Sequence, residues 1–205
     1  MTNSDLSNYI ANRFNDVVVS GHAIAVRLRR EVVGATPQQI RTAFEGVSRL
    51  NPGHFNGSLE YVSIAGVKCG IARFKDVKGP KVMWVHGGRF SFGSAQVYKA
   101  AGIYLARHLG YEVIIPDYKL APEHTYPEPF EDCLNVYKEL IANGESVDII
   151  GDSAGANIAT ALLQTCIKDD IQLPRKLALL SPWLDLCKTS ESNSNNRSDH
   201  SPFDK

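Results

Sequence analysis

The stretch Ser146-Val147-Asp148-Ile149-Ile150-Gly151-Asp152-Ser153-Ala154-Gly155-Ala156-Asn157 decides the fold. Val147 to Ile150 is a short apolar run of strand length, and a helical pattern continues from Asn157 to Ile167. Between them stands Gly-x-Ser-x-Gly. Glycines on both sides of Ser153 relieve crowding at a sharp strand-to-helix turn. The small residues Ala154, Gly155 and Ala156 let the helix lie close to the strand. Such a turn presents the Ser153 hydroxyl at a helix N-terminus and aims the Ala154 N–H at negative charge developing nearby. The pentapeptide alone is a weak signal, because glycine and serine are common turn residues.

The surrounding elements repeat the strand–loop–helix order. Lys81–Val85, Glu112–Ile115, Val147–Ile150 and Leu177–Leu180 read as strands, and Val97–Leu109, Phe130–Asn143 and Asn157–Ile167 as helices. Gly110 and Gly144 stop the first two helices. This alternation predicts an α/β domain with a largely parallel sheet, whose loops converge at the strand carboxyl ends. Upstream, Leu59–Ile64 and Val67–Phe74 form a hairpin signal around Ala65-Gly66. Residues 1–50 read as mostly helical. In particular, Thr36-Pro37-Gln38-Gln39 opens a helix with a cap, a first-turn proline and a capping-box glutamine, followed by Ile40, Ala43, Phe44 and Val47 at helical spacing.

Two further loops follow strands. His86-Gly87-Gly88-Arg89-Phe90 comes after Val85, and its glycines would let backbone N–H groups approach a carbonyl oxygen. A tight turn around a satisfied histidine reads equally well. Asp117-Tyr118-Lys119-Leu120-Ala121-Pro122-Glu123-His124 comes after Pro116 and by itself is a proline-punctuated loop. Its His124 reads as structural.

Composition narrows the class. The 205 residues carry 22 basic and 22 acidic side chains, so no broad field attracts nucleic acid or anionic lipid. Cys69, Cys133, Cys166 and Cys187 lack metal-ligand spacing and read as free thiols of a reducing compartment. The N-terminus lacks an early basic cluster, and no apolar run reaches membrane-spanning length. The expectation is a cytoplasmic chain with no metal, no nucleic-acid partner and no membrane association.

Taken together, HGG, DYKLAPEH, GDSAG and Ser181-Pro182-Trp183-Leu184-Asp185-Leu186 resemble the hormone-sensitive-lipase-like branch of the α/β-hydrolase esterases over roughly residues 60–187. The resemblance implies an α/β-hydrolase fold with an N-terminal helical cap segment (1–50), an incomplete core lacking its last strands (51–187) and a polar tail (188–205). It implies a carboxylic ester hydrolase acting on short- to medium-acyl esters without a cofactor. Ser153 would attack the ester carbonyl. N–H groups of Gly88, Arg89 and Ala154 would hold the oxyanion, with Gly87 shaping that loop. His86, Asp117, Tyr118, Gly151, Asp152 and Gly155 would support the site.

Two departures stand out. Arg89 occupies a position where the family usually has a third glycine. The acid and histidine of such a triad follow the serine in chain order, yet the only histidine after Ser153 is His200, adjacent to Asp199 and poorly placed to pair with it. Asp185 and Asp204 are the other nearby acids. A truncated chain of impaired activity is therefore expected, with Leu177–Leu180 as an apolar sheet edge that favours aggregation or a homodimer. The alternative is a non-catalytic small-molecule-binding relative; a peptidase of the same fold fits DYKLAPEH and SPWLDL less well.

Overall fold

The computed structural model describes residues 36–50, 56–75, 77 and 79–187. From Pro37 onward these belong to one compact unit. Its elements are α1 (Pro37–Leu50), β1 (Ser58–Ile64), β2 (Val67–Arg73), β3 (Lys81–Val85), α2 (Ala95–Leu109), β4 (Val113–Pro116), α3 (Glu128–Ala142), β5 (Val147–Asp152), α4 (Ala154–Lys168) and β6 (Leu177–Leu180). The rest of the 1–50 segment, the 188–205 tail and His200 lie outside the described residues.

The strands form one mixed sheet in the order β1-β2-β4-β3-β5-β6. β4, β3, β5 and β6 run parallel, while β2 joins β4 antiparallel and carries β1 as its hairpin partner. β3 and β4 are near-continuous apolar runs because helices cover both faces. Met83, Val85 and Ile114 face a core shared with Leu134, Tyr137, Ile158 and Leu162 of α3 and α4. On the opposite face α2 comes so close that a Cβ on Gly102 would meet Ile115, Ala72 and Val113.

The sequence boundaries hold for β3 and β6 and shift elsewhere for identifiable reasons. α2 starts at Ala95 rather than Val97, because the Ser94 side chain accepts from the Val97 N–H and caps it. α4 starts at Ala154 rather than Asn157, since the small residues after Ser153 are already helical. β5 runs on to Asp152, and β4 spans Val113–Pro116. β6 lies at the sheet edge, its residues half-buried or exposed.

Parallel pairing places the carboxyl ends of β3, β4 and β5 side by side. The three loops singled out above therefore emerge at one edge.

Candidate active site

Ser153 sits between β5 and α4 at φ 50° and ψ −116°, a conformation that L-residues avoid. Its backbone is pinned from both sides: its N–H donates to Leu180 O (3.0 Å), and its carbonyl accepts from Trp183 N (3.1 Å). The turn is tight because nothing but backbone fits beneath it. A Cβ on Gly155 would lie 2.1 Å from Val85 O and 2.4 Å from His86 O. The first N–H groups of α4 have no intrahelical acceptor, and Ala154 leads them.

The neighbouring loop starts at His86, which is fully buried. Its Nδ1–H donates to Gly87 O (2.8 Å), its ring stacks on Tyr118 at 4.3 Å, and Tyr118 Oη donates to His86 O (2.6 Å). Its Nε2 is buried with no hydrogen-bond partner among the described residues. Burial lowers the imidazole pKa from 6.5, outweighing the Gly87 hydrogen bond and the charges of Asp152 and Asp117. The loop histidine is thus a neutral packing residue. Gly88, Arg89 and Phe90 then take positive φ in succession (123°, 53° and 61°). The reversal closes on Gly88 O, which accepts from Ser91 N (2.9 Å) and Phe92 N (3.0 Å). Among the described residues Gly88 N–H donates to no protein acceptor.

Asp152 ties the loop to the serine turn. Its Oδ1 accepts from Trp84 Nε1 (2.9 Å) and Gly87 N (3.0 Å), and its Oδ2 accepts from Tyr98 Oη (2.7 Å). Tyr98 Oη in turn accepts from Gly87 N (3.1 Å). Burial, reinforced by the Asp152 charge, pushes the Tyr98 hydroxyl well above its ordinary pKa, so it remains a donor at neutral pH. The Gly87 N–H is wholly engaged in this network. That engagement is in keeping with Gly87 shaping the loop. Asp117 acts one layer out: its Oδ1 accepts from Ala95 N (2.6 Å) at the start of α2.

Trp84, Tyr98 and Arg41 were missed in the sequence. Arg41 of α1 donates to Ser91 O (2.7 Å) and Ala121 O (2.6 Å) and pairs with Glu123, clipping α1 to both loops. Phe44 stacks on Phe92 at 4.9 Å beside it. A cavity of about 430 Å³ opens between α1, Ser94 and the 117–124 loop; Ser153 does not line it. No spacing rule links Arg41 or Tyr98 to the loops they hold, so only the tertiary fold reveals them. Arg89 lies with its guanidinium carbon 5.5 Å from the centre of the Trp183 ring, which Phe90 also approaches at 6.0 Å.

The other described histidines are engaged away from this turn. His108 Nδ1 contacts Tyr104 O (2.8 Å), and His124 Nδ1 contacts Glu128 Oε2 (3.0 Å). Among the described residues no group of three or more His, Cys, Asp or Glu could hold a metal. No helix there is long and apolar enough to cross a membrane.

A strained serine between a parallel strand and a close-packed helix, facing a glycine loop from the adjacent strand, defines an α/β-hydrolase. A family model described as alpha/beta hydrolase fold matches residues 82–204, and the chain belongs to that family. It is 35% identical over 159 residues to an esterase of Acinetobacter venetianus, covering 76% of this chain and 52% of the relative. An acetyl-hydrolase of Streptomyces hygroscopicus is 33% identical over 111 residues, 53% of this chain and 37% of the relative. A crystal structure of an esterase from the bacterial hormone-sensitive lipase family matches with a TM-score of 0.77 at 29% identity, over 86% of this chain and 62% of that one. The hormone-sensitive-lipase-like resemblance therefore holds. The chain spans about half the length of the curated relatives it matches.

Proposed function

We propose that this chain carries the nucleophile half of a carboxylic ester hydrolase acting through an acyl-enzyme. Ser153 Oγ attacks the ester carbonyl, and the N–H groups of Gly88, Arg89 and Ala154 stabilise the oxyanion. Each such donor contributes about 3–4 kcal/mol in the transition state. The observation that carries this reading is the Ser153 backbone, held at φ 50° beside a loop that Asp152 fastens to the same turn. Substrates are short- to medium-acyl esters, in keeping with the esterase and acetyl-hydrolase relatives. The chemistry needs no cofactor.

Among the described residues no histidine is placed as a base for Ser153. His86 is sealed against Tyr118, and the only histidine after Ser153 is His200. Losing the base of a serine triad lowers kcat by roughly 10⁶. A polypeptide of these 205 residues is therefore expected to hydrolyse p-nitrophenyl butyrate barely faster than its Ser153→Ala variant; Ser153-dependent turnover at ordinary esterase rates overturns the impairment. The nucleophile assignment is tested by joining residues 1–187 to the carboxyl-terminal part of the Acinetobacter venetianus esterase. Hydrolysis that Ser153→Ala abolishes is expected, and a folded but inactive chimera rejects the assignment.

A second reading is favoured by Arg89 and the sealed histidine: a site that binds small acids or esters without turning them over. Calorimetric titration of the 205-residue chain separates the two, because saturable binding with no turnover, in the chimera as well, supports the second.

A further inference from the structure

We propose that Arg41 of α1 is a positioning residue for the glycine loop. Its hold on the Ser91 carbonyl keeps the Gly88–Arg89 peptide from turning over, so the Gly88 carbonyl oxygen stays inside the turn and away from the oxyanion. The proposal rests on Ser153 marking the reactive end of the site.

Backbone connectivity carries it. A trans peptide is planar, with its C=O and N–H pointing in opposite directions, so a bond made at one end aims the other. Arg41 Nε donates to Ser91 O (2.7 Å), and the N–H of that same peptide, on Phe92, donates to Gly88 O (3.0 Å). The preceding peptide is held alike. Ala121 N donates to Phe90 O (2.8 Å), and the N–H of that peptide, on Ser91, donates to Gly88 O (2.9 Å). Arg41 supports this second strut too, because its Nη2 donates to Ala121 O (2.6 Å). Peptides gripped from outside the loop thus close on one oxygen. A carbonyl has two lone pairs, and these N–H groups take both of them at Gly88 O.

Strain explains why a hold is needed. Arg89 has φ 53°, in the left-handed region that disfavours a residue with a Cβ. Turning the Gly88–Arg89 peptide over would carry Arg89 into the broad extended region and relieve that strain. It would also bring an acceptor to the place where negative charge develops and donors are needed. A strained conformation persists only when its surroundings over-determine it.

The guanidinium suits this task. It stays charged at every pH of interest, and its planar fork serves two carbonyls and the Glu123 carboxylate at once. Hydrogen bonds from a charged donor are roughly twice as strong as neutral ones. The hold acts through backbone groups and Arg41, whatever the Arg89 side chain touches.

Amide exchange and a tetrahedral ligand test this on the 205-residue chain without turnover. Arg41→Met keeps the stem and removes the donors. The Ser91 and Phe92 amides are expected to lose protection at least about 10-fold. Gly87, held by Asp152 and Tyr98, should keep its own. Butylboronic acid is the tetrahedral probe: Ser153 Oγ adds to the trigonal boron, and the hydroxyl proton passes to water. Calorimetry should show an adduct that Ser153→Ala abolishes and Arg41→Met weakens at least about 10-fold. Affinity for methyl butyrate, whose carbonyl is still trigonal, should stay unchanged. Arg41→Lys, which keeps the charge without the planar fork, should fall between parent and Arg41→Met and serves if the methionine variant does not fold. Glu123→Gln removes only an ion pair at a half-exposed carboxylate and should match the parent. Protected Ser91 and Phe92 amides in a folded Arg41→Met, equal losses for boronate and ester, or a Glu123→Gln as weak as Arg41→Met each overturns the proposal alone. No adduct in the unaltered chain, or one that survives Ser153→Ala, overturns it together with the nucleophile reading.

Discussion

The turn at Ser153 and the loop from His86 to Gly93 follow neighbouring parallel strands and face each other, but opposite means hold them. Backbone contact shapes the serine turn, where Gly155 lies against Val85 O and His86 O and leaves no room for a side chain. Side chains that arrive from far along the chain shape the loop: Asp152 and Tyr98 on the Gly87 N–H, Tyr118 on His86 O, and Arg41 on Ser91 O. One shape is a property of a few adjacent residues; the other is a property of the tertiary fold. The two regions should therefore fail differently when altered.

The largest effect is expected at the turn. Gly155→Ala must force α4 away from β3, because backbone oxygens on an interior strand cannot step aside. A loss of about 4 kcal/mol or more of unfolding free energy is expected, measured by urea denaturation. A variant as stable as the parent would break the contrast at its stronger end. Next comes the loop's hub. Asp152→Ala leaves Trp84 Nε1, Gly87 N–H and Tyr98 Oη without their shared acceptor, at about 1–3 kcal/mol for each group that stays dry. Asp152→Asn keeps one acceptor oxygen and should recover about half of the loss. Amide exchange sharpens the test: Gly87 should lose protection in the alanine variant while the α4 amides keep theirs.

Acid separates the loop from the remainder of the sheet. Burial holds His86 neutral with a lowered pKa, so the unfolded chain takes up its proton first as the pH falls below 6.5. Stability is present above that pH and is lost on the way down to the folded value, by about 1.4 kcal/mol per pH unit within the window. Glu112 behaves as an acid in another window. Burial opposes its charge, but hydrogen bonds and charges from Arg73 and Lys81 outweigh this and hold its pKa below 4.5. Its contribution is present above 4.5 and lost only at lower pH. Urea midpoints between about pH 8 and 5.5 should accordingly fall in the parent chain and flatten in His86→Asn. An unchanged slope in that variant would exclude the buried imidazole as the cause.

The same contrast explains what could be read from the sequence. The serine turn was legible because its causes are local: an apolar run, flanking glycines and small residues at the start of a helix. β3 and β6 were legible to the residue for the same reason. The loop was legible only as a motif. Nothing in the spacing of Trp84, Tyr98 and Arg41 indicates that their polar atoms meet Asp152, Ser91 and Ala121, since those meetings depend on how α1 and α2 fall across the sheet. Gly87 belongs with these. Its glycine character was evident, but the fate of its N–H depends on a tyrosine in the following helix.

Arg89 is the residue that belongs to both kinds of region, and it carries the smallest effect. Its backbone conformation is local and unfavourable, while its side chain makes a tertiary contact with Trp183. Arg89→Gly removes left-handed strain worth about 1–2 kcal/mol and gives up the side chain's contacts, among them the cation–π contact with Trp183, worth about 0.5–1 kcal/mol. The unfolded chain also gains backbone freedom with glycine, which takes back part of the difference. The net expectation is a melting temperature within a few degrees of the parent's for a chain of this size. A clear drop instead would mean that the side chain holds the loop as firmly as Asp152 does. Arg89 would then be a structural fastening, and the loop would depend on tertiary contacts even at the position where its own sequence most opposes the turn.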